Sequence, residues 1–424
     1  MEWDKITLDK LGSVSRGRSK HRPRNDESLF NGIYPFIQTG DVKRSGLHIV
    51  DYTETYNEKG LAQSKLWAPG TLCITIAANI ADTSILSFPA CFPDSIIGFV
   101  ADKEKSDVRF IKYSFDILQK KCQAISLGAT QDNLSWEKLS KIKFDIPSLS
   151  IQHFIASILS AYDNLIENNN KRIRLLEQMA ENLYKEWFVR FRFPGHEKSE
   201  FVASKLGKIP SSFSVTNMGD VFEDYIGGGW GNDEESEEFP ISASVIRGAD
   251  FPGVWHYDVS TCPKRFHKKS NYKSRQLQDG DIVMEISGGT SEQPVGRTVL
   301  VTQDLIERFE EGRVICASFC KMIRLNKKKI SPYFFYFWMH YLYNTRIIDR
   351  FQLQSTGIIN FKFEPFLKKG IVMLPSRDVM QSFDKFIIPI FKEINQLAIQ
   401  NENLARQRDL LLPRLMSGKL EVNI

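Results

Sequence analysis

The sequence predicts an α+β protein made by internal duplication, in which a mixed α/β globular domain and a long amphipathic helix each occur twice. Three observations predict it: short motifs recur in the same order in both halves, the same turn signals precede β-rich apolar runs, and two heptad stretches each follow a proline. Internal similarity at a fixed separation is the signature of repeated architecture. The predicted segments are a first globular domain at 1–148, a spacer helix at 149–192, a second globular domain at 193–376, and a C-terminal spacer helix with its tail at 377–424. At 424 residues each domain is long enough to bury its own core.

In the first domain, Ile37-Gln38-Thr39-Gly40-Asp41-Val42 has its counterpart in Ile246-Arg247-Gly248-Ala249-Asp250-Phe251 of the second. The segment from Trp67 through Pro69-Gly70 to Ile74 matches that from Leu277 through Asp279-Gly280 to Met284. Ser126-Leu127-Gly128 answers Ser355-Thr356-Gly357, and Asp145-Ile146-Pro147 answers Met373-Leu374-Pro375. The turn signals Pro69-Gly70 and Asp279-Gly280 open onto Thr71–Ile76 and Asp281–Ile286, which read as buried strands. Ser331-Pro332 before an aromatic run reads as a helix with proline in its first turn, its aromatic stripe belonging to the core. Gly227-Gly228-Gly229 reads as a flexible turn, and the acidic run from Asp233 to Glu238 as a solvated loop turned away from phosphate.

After Pro147 the apolar positions run Ile151, Ile155, Ile158, Tyr162, Leu165, Leu176, Met179 and Leu183, with Asn169 and Arg172 in seam places. After Pro375 they run Phe383, Ile387, Ile390, Ile394, Leu397, Leu404, Leu411 and Leu415, with Asn401 and Arg408 filling the gaps. Steps of three and four residues make a heptad seam, and polar seam residues set register at some cost in stability. Neither helix buries its seam alone, so the economical arrangement is an antiparallel coiled coil of the two, related by a pseudo-two-fold axis. A helix of ~35–40 residues is ~55 Å long. Pro389 inside the second helix is expected to kink it near its start.

Net charge is only +5, yet its distribution is uneven. Arg16, Arg18, Lys20, Arg22 and Arg24 form one run without an acid, and Lys264, Arg265, Lys268, Lys269, Lys273 and Arg275 form another. One such run alone reads as a solvated loop; one in each half points to phosphate contacts. Glutamine and asparagine can be bidentate to adenine and arginine to guanine, while lysine mostly holds phosphate. The candidate DNA-binding residues of the first domain are therefore Arg16, Arg18, Lys20, Arg22, Gln38, Lys43, Arg44, Asn79, Thr130, Gln131 and Asn133. Those of the second are Arg247, Lys264, Arg265, Lys268, Lys269, Ser291, Gln293, Arg297 and Asn360.

No catalytic or metal site is expected. The chain holds no Pro-Pro pair, which the Asn/Asp-Pro-Pro-aromatic element of an adenine methyltransferase requires. Gly12 to Ser19 mimics a phosphate loop but carries arginine where the lysine belongs. The seven histidines show no paired metal spacing and the six cysteines no CxxC. Cys316 and Cys320 read as small buried hydrophobes. No apolar run approaches the ~20 residues of a membrane span, and the first residues lack a secretory h-region. A reducing, prokaryotic cytoplasm is the expected setting.

The ordered set of motifs resembles the specificity (S) subunits of type I restriction–modification systems along essentially the whole chain. It includes Gly207-Lys208-Ile209-Pro210 before the second domain, with Phe213 where that family usually has tryptophan, and Gln38-Thr39-Gly40-Asp41. It also includes Trp67 with Pro69-Gly70, the segment from Leu175 to Phe188, and, most specific, the C-terminal Leu411-Leu412-Pro413-Arg414-Leu415-Met416-Ser417-Gly418-Lys419-Leu420. The resemblance implies two target-recognition domains reading a split, asymmetric sequence in double-stranded DNA. It implies two modification (methyltransferase) subunits and two restriction (motor/nuclease) subunits as partners. S-adenosylmethionine, ATP and Mg would be held by those partners, none by this chain, which is then a non-catalytic subunit. A coiled-coil scaffold binding only proteins, and an enzyme acting alone, are the competing readings.

Overall fold

The computed structural model describes residues 3–76, 81–126, 136–290, 293–355 and 358–420. Two compact units emerge, one of Met1–Asn169 with Gln400–Ile424 and one of Asn170–Ile399. The boundary falls inside both long helices.

In the first unit Asp4–Thr7 pairs antiparallel with Lys143–Ile146, closing the domain just before the helix begins. A five-stranded sheet has the order Gly12–Arg16, Ile96–Ala101, Leu72–Thr75, Thr83–Leu86, His48–Ile49. Phe30–Phe36 pairs antiparallel with Glu54–Tyr56, and Phe36 bridges Cys91 in parallel. The helix Val108–Ser126 packs on the sheet, burying Phe110 and Phe115 against Leu72, Ile74 and Phe99.

The second unit repeats these pairings in the same order. Ser214–Asn217 pairs with Ile371–Leu374. The four-stranded sheet runs Phe222–Gly227, Cys320–Leu325, Ile282–Glu285, Thr298–Leu300. Ile241–Ile246 pairs antiparallel with Lys264–His267 and in parallel with Val314–Cys316. A three-stranded sheet of Ser287–Gly289, Ile358–Phe361 and Gln352–Ser355 completes the unit. Pro332–Asn344 is the expected helix: the Ser331 hydroxyl caps it by accepting from the Phe334 N–H at 3.3 Å, and Phe334, Phe335 and Met339 are buried.

The recurrence reaches individual torsions and bonds. Gly70 and Gly280, at the matching turns, have φ of +83° and +87°, a region in which only glycine is unstrained. In the first unit the Gln38 N–H donates to Asp41 Oδ2 at 2.7 Å; in the second the Arg247 N–H donates to Asp250 Oδ2 at 2.9 Å. Both aspartates are buried at the start of a short helical turn.

Each unit contains an antiparallel pair of helical segments. The first long helix is Leu149–Tyr184, continued by a π turn over Lys185–Val189; the second is Arg377–Met416, and Pro389 lies inside it without ending it. In the first unit Asp163 pairs with Arg408, and Asn169 Nδ2 donates to Asn401 Oδ1 at 3.0 Å. In the second, Arg172 meets Glu393 at 2.6 Å, and the Trp187 ring lies 5.9 Å from Phe383. Of the expected seam, Phe383, Ile387, Ile394 and Leu397 are buried, while Ile158, Leu176, Leu183, Leu404 and Leu411 are partly so.

Leu165 and Met179 correct the seam: each is 52% exposed, and the buried places go to Leu159, Ile173, Ala180 and Tyr184. A straight helix turns every 3.6 residues, so a strict heptad stripe drifts off the contact within a few turns. These segments also pack on their own domain, which widens the buried arc: Leu159 and Leu412 join the first domain's core.

Gly227-Gly228-Gly229 is also corrected. It is not a free turn but the end of a strand, and a Cβ on Gly228 would lie 2.2 Å from the Ala317 carbonyl oxygen. Cys316 and Cys320 are buried as expected, on strands of two different sheets. Burial pushes the Cys316 thiol up to about 12. Among the described residues no helix is long and apolar enough to cross a membrane.

Candidate nucleic-acid interface

The first basic run leaves the sheet at Arg16 and is clamped by its backbone. The Gly17 N–H donates to Ile96 O at 2.8 Å and the Arg18 N–H to Phe92 O at 3.0 Å. The chain approaches so closely that a Cβ on Gly17 would sit 2.2 Å from Pro93 O. Gln63 Oε1 accepts from the N–H groups of Lys20 and His21 at 2.6 and 3.0 Å. The loop is therefore held by its main chain while the side chains of Arg16, Arg18 and Lys20 stand exposed. Among the described residues none of these three has a carboxylate partner. Arg22 donates to the carbonyls of Ser19 and His21, and Arg24 is bidentate to Asp94 at 2.6 and 2.9 Å. Hydrogen bonds from the Ser28 hydroxyl and N–H, with His21, hold the Asp26 carboxyl down at about 2.

A groove of about 400 Å³ brings Arg24 and Gln38 together with Asn25, Asn31, Thr39 and Glu54. Gln38 Nε2 donates to Glu54 Oε2 at 2.7 Å, a bond between two of the groove's lining residues. Lys43 and Arg44 are exposed on the helical turn that follows, Arg44 paired with Asp41. Asn79, Thr130, Gln131 and Asn133 lie outside the described residues, as does Ser291 of the second unit.

In the second unit the basic run lies on a strand and the helix after it, Lys264–His267 and Lys269–Arg275. Lys264, Arg265, Lys268 and Lys269 thus come together, but with acidic company. Lys264 pairs with Glu310 at 2.6 Å, Arg265 with Asp233, and Lys268 with Glu238. The acidic run sits against the basic one, because Asn232 bridges Phe266 between them. Trp230, 41% exposed, lies under the Arg265 guanidinium at 4.7 Å. Sequence reasoning passed over this aromatic; the signal available was an indole between two glycines beside a charge run.

Arg247 is bound to Asp250 through Nε and Nη2 at 2.9 and 2.8 Å, and to the Thr261 carbonyl at 2.7 Å. Asn360 Oδ1 accepts from the Ser287 hydroxyl at 2.7 Å on the small sheet. Gln293 is exposed and its amide oxygen can face the Arg297 guanidinium at 2.9 Å. Arg297 itself is not available as a reader. Its side chain is 10% exposed and bidentate to Glu285, 6% exposed, at 2.7 and 2.8 Å. Its position beside Glu285, at the start of the edge strand Thr298–Leu300 that pairs with Ile282–Glu285, decides that role rather than its residue type.

Burial pushes the Asp250 carboxyl up, but the bonds from Arg247 and Thr261 outweigh it and hold the group below the ordinary carboxylate range. A depressed folded pKa contributes stability that is fully present above the unfolded value of about 3.9 and lost as pH falls through the folded pKa. Arg247→Ala is expected to move the acid-unfolding midpoint to higher pH, read by circular dichroism. An unchanged midpoint would show that the pair does not set acid stability.

The two units thus share a scaffold, with the same turns but different side chains at matching positions. Residues 1–178 match the family model described as type I restriction modification DNA specificity domain. Along almost its whole length the chain is similar to specificity subunits of type I restriction enzymes. It is 24% identical to the type I restriction enzyme MjaIX specificity subunit of Methanocaldococcus jannaschii, over 99% of this chain and 94% of that one. It is 23% identical to the HindI specificity subunit of Haemophilus influenzae, over 99% of this chain and 100% of that one. Its fold is similar to the crystal structure of a type I restriction–modification S subunit from M. genitalium, with a TM-score of 0.56 and 16% identity. That match covers 98% of this chain and 96% of the other.

Proposed function

We propose that the chain is the specificity subunit of a type I restriction–modification enzyme. It reads a split, asymmetric target in double-stranded DNA with one half-site per domain. Methyltransferase and restriction subunits are recruited to it, and they hold S-adenosylmethionine, ATP and Mg and perform the chemistry. The observation that carries this reading is the duplicated capping turn, which presents Gln38 in one unit and Arg247 in the other. The same backbone device with different hydrogen-bonding side chains is what two different half-sites require. Filter binding of the complex with its methyltransferase partner, over a duplex library, tests it. Binding to one split sequence, with log affinity falling steeply against log salt, is expected. Absence of any duplex binding would leave the protein-only scaffold.

The carboxylate on Lys268 gives a sharper test. With Glu238→Gln, Lys268 loses its internal counterion. Affinity for duplex is expected to rise, and the salt slope to steepen by about one, for the one released cation. An unchanged slope would place this run away from the phosphates.

A further inference from the structure

The second unit holds a cavity of about 350 Å³ that plays no part in the reading above. It lies within the range of small-molecule sites. Its walls are aromatic: the rings of Tyr336 and His340 are 4.2 Å apart, Trp255 is 5.9 Å from His340, and Phe391 is 5.8 Å from Tyr336. Two carboxylates, Glu177 and Glu181, stand one helical turn apart on its edge. Arg297, which also reaches it, brings no free charge because Glu285 holds its guanidinium.

Polar handles in the wall are left open. Thr298 is 1% exposed and, among the described residues, its hydroxyl has no hydrogen-bond partner. The Thr298 carbonyl, by contrast, accepts from Trp255 Nε1 at 2.9 Å. Burial lowers the His340 pKa, and its Nε2 lies 3.4 Å from that same carbonyl. Glu177 meets His256 at 3.0 Å and Glu181 meets Lys185 at 3.5 Å, both at partly exposed positions.

We propose that this cavity is a binding site for a small organic cation with an apolar body, an aryl- or alkyl-ammonium. The aromatic faces would hold the body, and the ammonium would take the places that the partly exposed His256 and Lys185 hold beside Glu177 and Glu181. Ring faces carry negative quadrupole density and attract a desolvated ammonium, and the two carboxylates add the same preference.

The test uses the full chain with two matched probes, 3-phenylpropylamine and the neutral 3-phenylpropanol, followed by calorimetry and by Trp255 fluorescence. The amine is expected to bind roughly tenfold more tightly than the alcohol. Glu177→Gln with Glu181→Gln is expected to bring the amine down to the level of the alcohol, while the melting curve stays that of a folded protein. Trp255→Phe is expected to remove the fluorescence response and leave the calorimetric one. Equal binding of the two probes to the unmodified chain, or no amine binding up to about 10 mM, would overturn the proposal irrespective of how the variants fold.

Discussion

Inserting seven residues into both long helices, after Asn169 in the first and after Ile399 in the second, is expected, on the split-site recognition proposed above, to lengthen the gap between the half-sites without changing either one. Seven residues add about 10 Å of helix, equivalent to about three base pairs of rise. The insertion must be made in both helices because their pairing is residue-specific on each side of these points. Asp163 with Arg408 and Asn169 with Asn401 hold one side; Arg172 with Glu393 holds the other. A matched insertion preserves all three pairs. Insertion into one helix alone slides one set past the other and strands Asn169, which is only 5% exposed. A buried amide without its partner costs about 1–3 kcal/mol, so the single insertion is expected to lower the melting temperature. Seven helical residues rotate the two ends by only ~20°, whereas three base pairs turn the duplex by about 100°. The doubly lengthened protein is therefore expected to bind its longer site more weakly than the parent binds its own. Methylation mapping in cells reads the outcome directly. An altered half-site, or an unaltered gap, would refute the helices as the ruler.

Arg297→Ala is expected to destabilise the second unit by about 3–5 kcal/mol, the usual consequence of leaving a buried carboxylate unpaired. Glu285 would lose both bonds from the guanidinium, and the Gly248 carbonyl a third at 2.9 Å. For a unit of this size the melting temperature would fall by roughly 10 °C. Replacing both residues, Glu285→Met with Arg297→Met, is expected to recover most of the loss, because no charge then remains to be solvated. Lys264→Ala makes the contrast. That lysine and its partner Glu310 are 52% and 70% exposed, and solvent screening leaves such a pair little to contribute, so the melting temperature is expected to stay put. Thermal unfolding of the three variants separates a structural arginine from a surface one. A melting temperature unmoved by Arg297→Ala would return that residue to the candidate readers.

The misassignment of Arg297 shows where sequence reasoning stops. Its loop neighbours and residue type are those of a base-reading arginine, but Glu285 is twelve residues away in sequence and meets it only across a strand pair. The same holds for Lys264, Arg265 and Lys268. A run of cations is legible in the chain, whereas the carboxylates that meet it come from separate segments. Leu165 and Met179 failed for another reason: heptad spacing records a stripe, not how far that stripe can follow a contact before the helix turns it away.

By itself the sequence determined the duplication, the alternation of domain and helix, the buried strands after Pro69-Gly70 and Asp279-Gly280, and the aromatic helix behind Ser331-Pro332. These are local properties: glycine at positive φ, proline in a first turn, and apolar spacing are decided by neighbours a few residues apart. Only the tertiary structure decided which charges are already neutralised, which helix faces stay dry, and that Gly228 is packed against a neighbouring strand rather than free. It alone revealed a cavity walled by residues from two helices and a domain. Those outcomes depend on groups brought together from distant parts of the chain, and no spacing within one segment records them.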